Sequence, residues 1–479
     1  MSTVHATATT DELKSATDKK QENVNFKKFH RSEIIFLGST IALVTLTACA
    51  TVLLSPVNTA PADSTKCFDI CKLTLVETIP DNLTFPSGSP THLDTYASWN
   101  SLIDEAVYGI DIGSSYWTLR EEDVVPDPSA WKGEKIFDRL LEVGKDGGIS
   151  IRIAQNNNSD PNQMNDTTIL ANEGAAAVRT LDFNKLLGAG ILHTKMWMTD
   201  NMHFYVGSAN LDWRSLTQVK ELGIMVTDCA CMGRDLQKVF SVYWKLGEDG
   251  ATVPSEWPPE LATDINLENP TSLEIGGLNE TMYISVAPPQ FLPEGRTSDL
   301  TALLDIIDKA QEFIYIALMD YFPVTLYQKN NVYWPIIDNR LRAAAFERGV
   351  KVRLMPSWWK YSKQTVKAFL RSLEDVSPAM RNGTIEVKMF EVPAYTPAQE
   401  NLPYSRVNHN KYMVTETTAF IGTSNWSGDY FLDTAGVSVI ISQKKGSVAS
   451  ERNIHVQLKA VFERDWISPY ARTIDEAGT

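Results

Sequence analysis

Histidine and cysteine are scarce in this chain of 479 residues, which contains seven histidines and five cysteines. Basic residues are also outnumbered, with 44 lysines and arginines against 59 aspartates and glutamates, so the formal net charge is −15 at pH 7. A generic binder of duplex nucleic acid has a basic surface, and this charge argues against that class. We therefore expect any contact with nucleic acid to be local. No cluster of metal-ligand residues accompanies the motifs described below, and we expect neither a metal nor a cofactor.

Charge is missing altogether from one stretch, positions 34–55. A run of this length without a charged side chain fits a helix that crosses a bilayer, which needs about 20 residues. Lys27, Lys28 and Arg31 precede it, and basic residues stay on the cytosolic side of a membrane. The sequence therefore predicts a disordered cytosolic tail at 1–33, a transmembrane signal anchor at 34–55, a lumenal stem at 56–80, and a lumenal remainder.

A duplicated motif contains the residues best suited to catalysis. Both copies have a histidine, a lysine two positions later, an acid five further on and a Gly-x-x-Asn after one short strand: His193, Lys195, Asp200 and Asn210 in the first, and His409, Lys411, Glu416 and Asn425 in the second. These residue types supply a nucleophile or acid, positive charge and amide donors, which is what handling a phosphate requires. Buried core histidines and solvated lysines would explain a single copy, but they explain a matched pair poorly.

Each half also repeats an alternation of strands and helices. We predict strands at 107–112, 149–153, 313–319 and 350–354, a helix around 136–141, a helix from Ile336 to Arg348 ended by Gly349, and a last helix at 456–466. This alternation favours an α/β fold with a mostly parallel sheet flanked by helices in each half. The halves are expected at 81–252 and 280–479, joined by a Pro-rich connection at 253–279, with one shared active site.

Cysteines and glycosylation sequons fit an oxidising lumen. Outside the apolar span the cysteines form two clusters, Cys67/Cys71 and Cys229/Cys231. Two disulfides that cross between the clusters are favoured, because pairing within Cys229-x-Cys231 would be strained. A four-thiolate zinc site is the alternative. Five Asn-x-Ser/Thr acceptors are expected to carry glycans: Asn82, Asn157, Asn165, Asn279 and Asn382.

The two motifs resemble the phospholipase D superfamily, whose signature is HxKxxxxD followed by GSxN. The segments GSANLDWRSLTQVKELG and VNHNKYMVTE are similar to its animal endolysosomal, membrane-anchored branch, and the resemblance runs from about Cys67 to Tyr470. Glu416 stands where the signature has aspartate, a change that this branch shares. Glu221 matches the family carboxylate that orients the first histidine, whereas the second half has Gly436 at that offset.

The resemblance implies a two-histidine mechanism without a metal. We expect His193 to attack phosphorus and His409 to protonate the leaving oxygen, with Glu221 fixing the tautomer of His193. The remaining motif residues are expected in the same site, as catalytic residues in the case of Lys195, Lys411, Asp200 and Glu416, and as phosphate ligands in the case of Asn210, Asn425, Ser208 and Ser424.

The branch further implies a 5′ exonuclease of single-stranded DNA and RNA, which reaches the endolysosome through the endoplasmic reticulum and Golgi. Alternatives are a phospholipid phosphodiesterase or transphosphatidylase, including synthesis of bis(monoacylglycero)phosphate, and a lumenal scaffold without catalysis. A homodimer is the default oligomer. Several aromatic residues near the motifs are candidates either for stacking bases or for the core: Tyr116, Trp117, Trp197, Trp213, Trp358, Trp359, Tyr412 and Trp426.

Overall fold

Each histidine motif leads into a β-hairpin, and each hairpin lies within a larger sheet. The computed structural model describes residues 71–145, 148–275, 278–328 and 330–478. The expected cytosolic tail, the signal anchor and Cys67 lie outside this part of the chain. Within the described ranges, no helix has both the length and the apolar character that a membrane crossing requires.

The strands of the first half are, in chain order, β1 (Lys72–Thr78), β2 (Gly109–Ser114), β3 (Trp117–Thr118), β4 (Ser150–Asn156), β5 (Ala176–Leu181), β6 (Lys195–Thr199), β7 (His203–Gly207), β8 (Leu211–Asp212) and β9 (Glu221–Thr227). Seven of them form one sheet in the spatial order β1-β9-β7-β6-β2-β4-β5, while β3 pairs with β8. The first histidine motif therefore enters the sheet at its centre, through β6.

The strands of the second half are β10 (Thr271–Ile275), β11 (Leu278–Ala287), β12 (Thr297–Ser298), β13 (Phe313–Leu318), β14 (Lys351–Pro356), β15 (Thr384–Val387), β16 (Met389–Phe390), β17 (Lys411–Thr415), β18 (Thr418–Gly422), β19 (Gly436–Gln443) and β20 (Ala471–Arg472). The sheet order is β10-β11-β19-β18-β17-β13-β14-β15, with β12 on β11 and a separate β16–β20 pair. From β11 to β15 this order repeats the first sheet strand for strand, so the halves are structural repeats.

The sheets are mixed, and the prediction of mostly parallel sheets is wrong. In the first sheet β2, β4 and β5 run parallel, whereas the pairs β1–β9, β9–β7, β7–β6 and β6–β2 are antiparallel. The reason lies in the motif itself, because only residues 200–202 separate β6 from β7. A parallel crossover needs about a dozen residues or more, so a connection this short can only make a hairpin.

Helices pack around the two sheets. They are α1 (Thr95–Asp104), α2 (Trp131–Lys145), α3 (Asn165–Asn172), α4 (Phe183–Leu186), α5 (Trp213–Thr217), α6 (Ala230–Leu246), α7 (Asp299–Lys309), α8 (Ile336–Arg348), α9 (Thr365–Glu374), α10 (Pro397–Asn401), α11 (Asp429–Leu432) and α12 (Ile454–Trp466). The predicted bounds of α8 are confirmed. Gly349 ends it with φ 74°, a left-handed conformation that glycine adopts without steric cost.

The segment assigned to the stem contributes to the first sheet. Strand β1 pairs along its whole length with β9. Cys71, directly before β1, is bonded to Cys229 across 158 residues, with 4.6 Å between the Cα atoms. The predicted cross-pairing of the two cysteine clusters is thus confirmed for this pair, and Cys231 is also disulfide-bonded. Sulfur atoms engaged in disulfides are not thiolates, so the four-thiolate zinc alternative is excluded.

One buried cluster joins the two halves. It contains Met196 and Phe204 of the first hairpin together with Met282 and Phe420 of the second sheet. A separate cluster on the other face of the first sheet contains Trp197, which stacks on Trp99 of α1 with 5.1 Å between ring centroids. The shared apolar core therefore fixes the two hairpins, and the motifs at their entrances, relative to each other.

Candidate active site

The two histidine segments dock across the boundary between the halves. The His193 backbone N–H donates to the Ala435 carbonyl at 2.9 Å, directly before β19 of the second half. In the same way, the His409 N–H donates to the Lys220 carbonyl at 2.8 Å, directly before β9 of the first half. Short parallel bridges at these positions complete the crossed arrangement. Each histidine is therefore placed by the partner half's strand, and the residue that begins that strand becomes its neighbour.

This crossing corrects the expected partner of Glu221. The carboxylate, at the start of β9, lies 2.9 and 3.1 Å from Nδ1 of His409, not beside His193. The hydroxyls of Ser208 and Ser215 donate to it at 2.5 and 2.8 Å. An ionised carboxylate only accepts hydrogen bonds, so Nδ1 of His409 carries the proton and Nε2 is left for proton transfer. The sequence offset identified the correct acid and the wrong histidine.

In the described part of the chain His193 has no equivalent carboxylate, because Gly436 begins β19. A side chain there would collide with Ser424, whose Oγ lies 2.2 Å from the position of an added Cβ. Within the described ranges, neither Nδ1 of His193 nor Oγ of Ser424 has a hydrogen-bond partner, although both atoms are buried. The ring of Tyr430 contacts His193 edge-on, with 5.0 Å between centroids. The two catalytic candidates therefore sit in different electrostatic surroundings.

The surroundings separate the proton affinities of the two rings. Burial lowers the pKa of His193 well below its usual value, and the positive charges of Lys195 and Lys411 act in the same direction. Burial also lowers the pKa of His409, but the negative charge of Glu221 opposes that effect. Glu221 itself stays ionised, because His409 and Lys411 outweigh burial and lower the pKa of its carboxyl. His193 is therefore neutral in the pH range where His409 still takes up a proton.

Both motif lysines are buried at the same seam. Lys195 Nζ donates to the His193 carbonyl at 2.6 Å, and Lys411 Nζ donates to the His409 carbonyl at 2.7 Å. Burial lowers the pKa of Lys195 well below the usual range and that of Lys411 to about 7, although Glu221 and Asp320 favour the charged form of Lys411. Burial and mutual repulsion oppose the charged forms of the two lysines, and an anion bound beside them would favour those forms by restoring the charge balance.

The motif asparagines are held by tyrosines that the sequence reading did not assign to them. Nδ2 of Asn210 donates to the Tyr116 hydroxyl at 3.0 Å, and Nδ2 of Asn425 donates to the Tyr430 hydroxyl at 3.2 Å. The sequence predicts Tyr116 either to stack on a base or to belong to the core, and it does not point to Tyr430. Tyr430 follows Asn425 by five residues, but nothing in that spacing marks it. Each asparagine follows the end of its hairpin strand by three residues, and its role as a phosphate donor stays a prediction.

Three motif residues have supporting contacts instead of the roles that the sequence predicts. The Ser208 hydroxyl donates to the Glu221 carboxylate, so its proton is not available to a phosphate. Asp200 accepts from the backbone N–H groups of residues 107, 108 and 109 at 2.7–2.8 Å. Glu416 accepts from the N–H of Gln311 at 2.8 Å. A strand of five residues, about 16 Å long, separates each of these acids from its histidine, so both acids hold the turn before a neighbouring strand and are not catalytic.

Most of the aromatic candidates belong to the core. Trp117, Trp197, Trp213, Tyr412 and Trp426 are buried, as is Trp358. Their rings are enclosed by neighbouring side chains and are not available to stack on a base. Trp359 is only partly buried, so part of its side chain is exposed to solvent. Asp320, which the sequence reading passed over, places a carboxyl near Lys411, and burial raises the pKa of this carboxyl.

The chain is similar to known proteins over most of its length. Residues 86–395 match the family described as PLD3/4, PLD-like domain, a segment that contains the first motif and ends before His409. The chain is 46% identical over 411 residues to "5′-3′ exonuclease PLD3" of Homo sapiens, covering 85% of this chain and 82% of that protein. For the Xenopus laevis protein of the same name the identity is 43% over 461 residues, covering 94% and 92%. For "5′-3′ exonuclease PLD4" of Mus musculus it is 42% over 420 residues, covering 87% and 82%.

A solved structure shows the same fold. Phosphatidylserine synthase from Haemophilus influenzae Rd KW20 superposes on 85% of this chain, and on 91% of its own chain, with a TM-score of 0.54 and 12% sequence identity. At this level of identity the likeness concerns the architecture of two repeated α/β halves and not the substrate.

Proposed function

Since this chain belongs to the PLD3/4 group of phospholipase D-like proteins, we propose that it is a phosphodiesterase that removes nucleotides from the 5′ end of single-stranded DNA or RNA. The observation that carries the proposal is the crossed pair of histidines, of which only His409 has a carboxylate partner among the residues that the structure describes. A neutral ring opposite a ring paired with an acid is the arrangement that a nucleophile and a general acid need.

The first step forms a covalent intermediate. A neutral His193 nitrogen attacks phosphorus, and an N–P bond forms while the bond from phosphorus to the leaving oxygen breaks. The proton on Nε2 of His409 passes to that oxygen, so the departing strand leaves as an alcohol. Lys195, Lys411 and the amides of the motif asparagines stabilise the charge that builds on the non-bridging oxygens.

The second step regenerates the enzyme. His409, now neutral, takes a proton from water as the water oxygen attacks the phosphohistidine. The N–P bond breaks, the nucleotide leaves as a phosphomonoester, and His409 is protonated again for the next cycle. Glu221 accepts from Nδ1 throughout and stabilises the imidazolium each time it forms, as the carboxylate of a catalytic triad does.

An acidic working pH follows from the same contacts. His409 must be protonated to act as an acid, and burial lowers its pKa despite Glu221. His193 stays neutral under these conditions because its pKa is lowered further, by burial and by both lysines. An acidic endolysosomal lumen is the compartment that fits this requirement, and the proposal includes a signal anchor at 34–55 and a lumenal catalytic part.

Lumenal placement is supported by the positions of the sequons. Asn82, Asn157, Asn279 and Asn382 are exposed. Asn165 is partly buried, and its amide donates to Asp123 at 2.8 Å, which makes it the least favourable acceptor of the five. Removal of N-glycans from the cell-expressed protein should lower its apparent mass. An unchanged mass would contradict the lumenal topology, and light scattering of the same preparation would test for a homodimer.

The decisive test of activity compares chain ends. The lumenal domain should shorten a single-stranded oligonucleotide with a blocked 3′ end and leave one with a blocked 5′ end intact, with little action on duplex. His193→Ala and His409→Ala should each nearly abolish turnover. Release of headgroup from phosphatidylcholine or phosphatidylglycerol without release of nucleotide would transfer the assignment to a lipid phosphodiesterase.

A further inference from the structure

A cavity of 470 Å³ opens beside the chain segment that leads to His409. Its wall includes Trp359, Tyr361, Ser405 and Arg406. Tyr404, between Pro403 and Ser405, stacks on Tyr361 with 4.7 Å between ring centroids and 22° between the ring planes. Trp359 meets Tyr361 edge-on at 4.9 Å. We call Trp359, Tyr361 and Tyr404 the aromatic platform.

Two of the three platform rings are exposed, whereas the tryptophans inside the motif segments are buried. Tyr361 and Tyr404 are 43% and 61% exposed, respectively. Burial of a large aromatic ring is favourable in free energy, and a ring left in water does not obtain this stabilisation. An exposed cluster of such rings therefore indicates a binding surface. Neither tyrosine was singled out by the sequence, because Tyr361 and Tyr404 come from separate loops 43 residues apart.

The loop that carries Tyr404 is held firmly. Tyr404 and Arg406 adopt φ 52° and 51°, a left-handed conformation that non-glycine residues rarely take. Arg214 donates to the Pro403 carbonyl at 2.7 Å, and Arg406 donates to the Pro393 carbonyl at 2.7 Å. Backbone strain of this kind persists only where neighbouring contacts enforce it, and it concentrates at functional sites. The ring of Tyr404 is therefore presented to solvent without a further ordering cost.

Two observations place the platform near the catalytic histidines. Tyr404 precedes His409 by five residues, so their Cα atoms are at most about 18 Å apart. Lys363, two residues after Tyr361, lies 5.5 Å from the ring of Tyr327. Tyr327 is 62% exposed and contacts Tyr430 with 6.3 Å between centroids, and Tyr430 contacts His193. From His193 outward, the buried ring of Tyr430 is therefore followed by the exposed ring of Tyr327, and Lys363 lies between that ring and the segment that carries Tyr361.

The charges beside these rings are mixed in a way that suits a strand of nucleotides. Lys360 and Lys363 are exposed next to Tyr361 and Tyr327, respectively. Glu391 and Glu400 also line the cavity. Ammonium groups alternating with flat rings match phosphates alternating with bases. An acyl chain would instead need an enclosed apolar groove, which open rings flanked by charges do not provide.

We propose that the aromatic platform and Tyr327 bind the unpaired bases of the substrate strand on its way to His193. This inference rests on the proposed exonuclease function and deepens it, because it assigns a base-binding subsite that tolerates any sequence. Stacking accepts every base, since each base has a flat face. A duplex, whose bases are already stacked in pairs, cannot use this subsite, which supplies a structural reason for a preference for single strands.

The test compares Tyr361→Ala/Tyr404→Ala with Tyr361→Phe/Tyr404→Phe. On a short oligothymidylate the alanine pair should raise KM by at least about fivefold, and the phenylalanine pair should leave it near the wild-type value. On bis(4-nitrophenyl) phosphate, which is too small to reach the platform, all three proteins should have equal kcat/KM. Loss on both substrates, or an unchanged KM for the oligothymidylate, would overturn the subsite.

A strand with missing bases provides the complementary control. Wild-type enzyme should bind an abasic oligomer about as weakly as the alanine pair binds the intact one, and the alanine pair should not distinguish the two strands. Binding of a labelled oligothymidylate to His193→Ala, measured by fluorescence anisotropy with and without the two alanines, tests the subsite without turnover. If the wild-type protein cleaves no oligonucleotide, the proposed function fails. If the wild-type protein does cleave but the two alanines leave this binding unchanged, the subsite alone is refuted.

Discussion

At the scale of single residues, one carboxylate distinguishes the two histidines of the site. Glu221 accepts from Nδ1 of His409 and is itself fixed by the hydroxyls of Ser208 and Ser215. The corresponding place beside His193 holds Gly436 and the hydroxyl of Ser424. The carboxylate stabilises the protonated form of His409 and not that of His193. The roles of general acid and nucleophile therefore depend on this single side chain.

Glu221→Gln should therefore lower kcat by about 10²- to 10⁴-fold while the fold persists. The carboxylate opposes the burial that lowers the pKa of His409, so its loss lowers that pKa further. The alkaline limb of the pH profile, where His409 loses its proton, should shift to lower pH. Glu221→Asp, which keeps the charge, is the control. A pH profile of Glu221→Gln that overlays that of the wild type would refute the pairing as the source of acid catalysis.

The lowered pKa of Lys411 predicts a second pH effect, on substrate binding. Burial lowers the pKa of its ammonium to about 7, so the positive charge that holds the phosphate is present below about pH 7 and is lost above it. KM for a small phosphodiester should rise with pH through this range. Lys411→Arg keeps its charge at all these pH values and should remove the rise, even if kcat is reduced. A wild-type KM that is flat between pH 6 and 8 (about one unit either side of the pKa) would contradict this.

At the scale of elements, the sequence predicted local structure well and contacts between elements poorly. Helix α8 was predicted to the residue because its C-terminal signal, Gly349, acts within one turn. The alternation of strands and helices predicts parallel pairing, whereas the three-residue turn at 200–202 forbids it between β6 and β7. The partner of Glu221 could not be read from an offset along the chain, because the crossed docking brings it to a histidine 188 residues away.

The start of β19 provides a test at this scale. An added Cβ at Gly436 would lie 2.2 Å from Oγ of Ser424, so Gly436→Ala should lower the free energy of unfolding by about 1 kcal/mol or more. Removal of that oxygen in Gly436→Ala/Ser424→Ala should restore a large part of the loss, since the next contacts, with Oγ1 of Thr423 and Cβ of Ser424, are 3.2 and 3.5 Å away.

Urea denaturation would measure all three proteins, with Gly148→Ala as the matched control. An added Cβ at Gly148 meets no atom within 4 Å. If the double variant were no more stable than Gly436→Ala, close packing against Ser424 would not be the reason that glycine occupies this position.

At the scale of the whole molecule, a buried ionic cluster ties the first strand to the last helix. Arg464 of α12 pairs with Glu77 of β1, and Lys220 bridges Glu77 and Asp465 at 3.0 and 2.9 Å. Lys220 is also the residue whose carbonyl receives the His409 N–H. Burial alone would raise the pKa of Glu77, but Lys220 and Arg464 outweigh it and lower that pKa to about 2. This contribution to stability is fully present above about pH 4.5 and is lost only as the pH falls through about 2.

Arg464→Leu should accordingly cost about 3–5 kcal/mol of stability, because it leaves Glu77 buried with half of its compensation. Glu463→Gln is the comparison, since it breaks a pair with Lys459 whose side chains are 43% and 35% exposed and should cost less than about 1 kcal/mol. Thermal unfolding should show Arg464→Leu to be the less stable of the two variants at both pH 5 and pH 7. Equal costs would mean that the cluster does not tie the halves together.

The crossed docking has a consequence for how such a site can arise. If each half were a separate polypeptide and two identical copies paired, both histidines would have a glutamate neighbour or both would have a glycine, because symmetry forces equivalent positions to match. Joining the copies in one chain removes that constraint. The glutamate at 221 and the glycine at 436 are then free to diverge, and one ring specialises in giving up a proton while the other specialises in forming a bond. Covalent linkage of the repeats is thus what permits a division of labour between two otherwise equivalent catalytic groups.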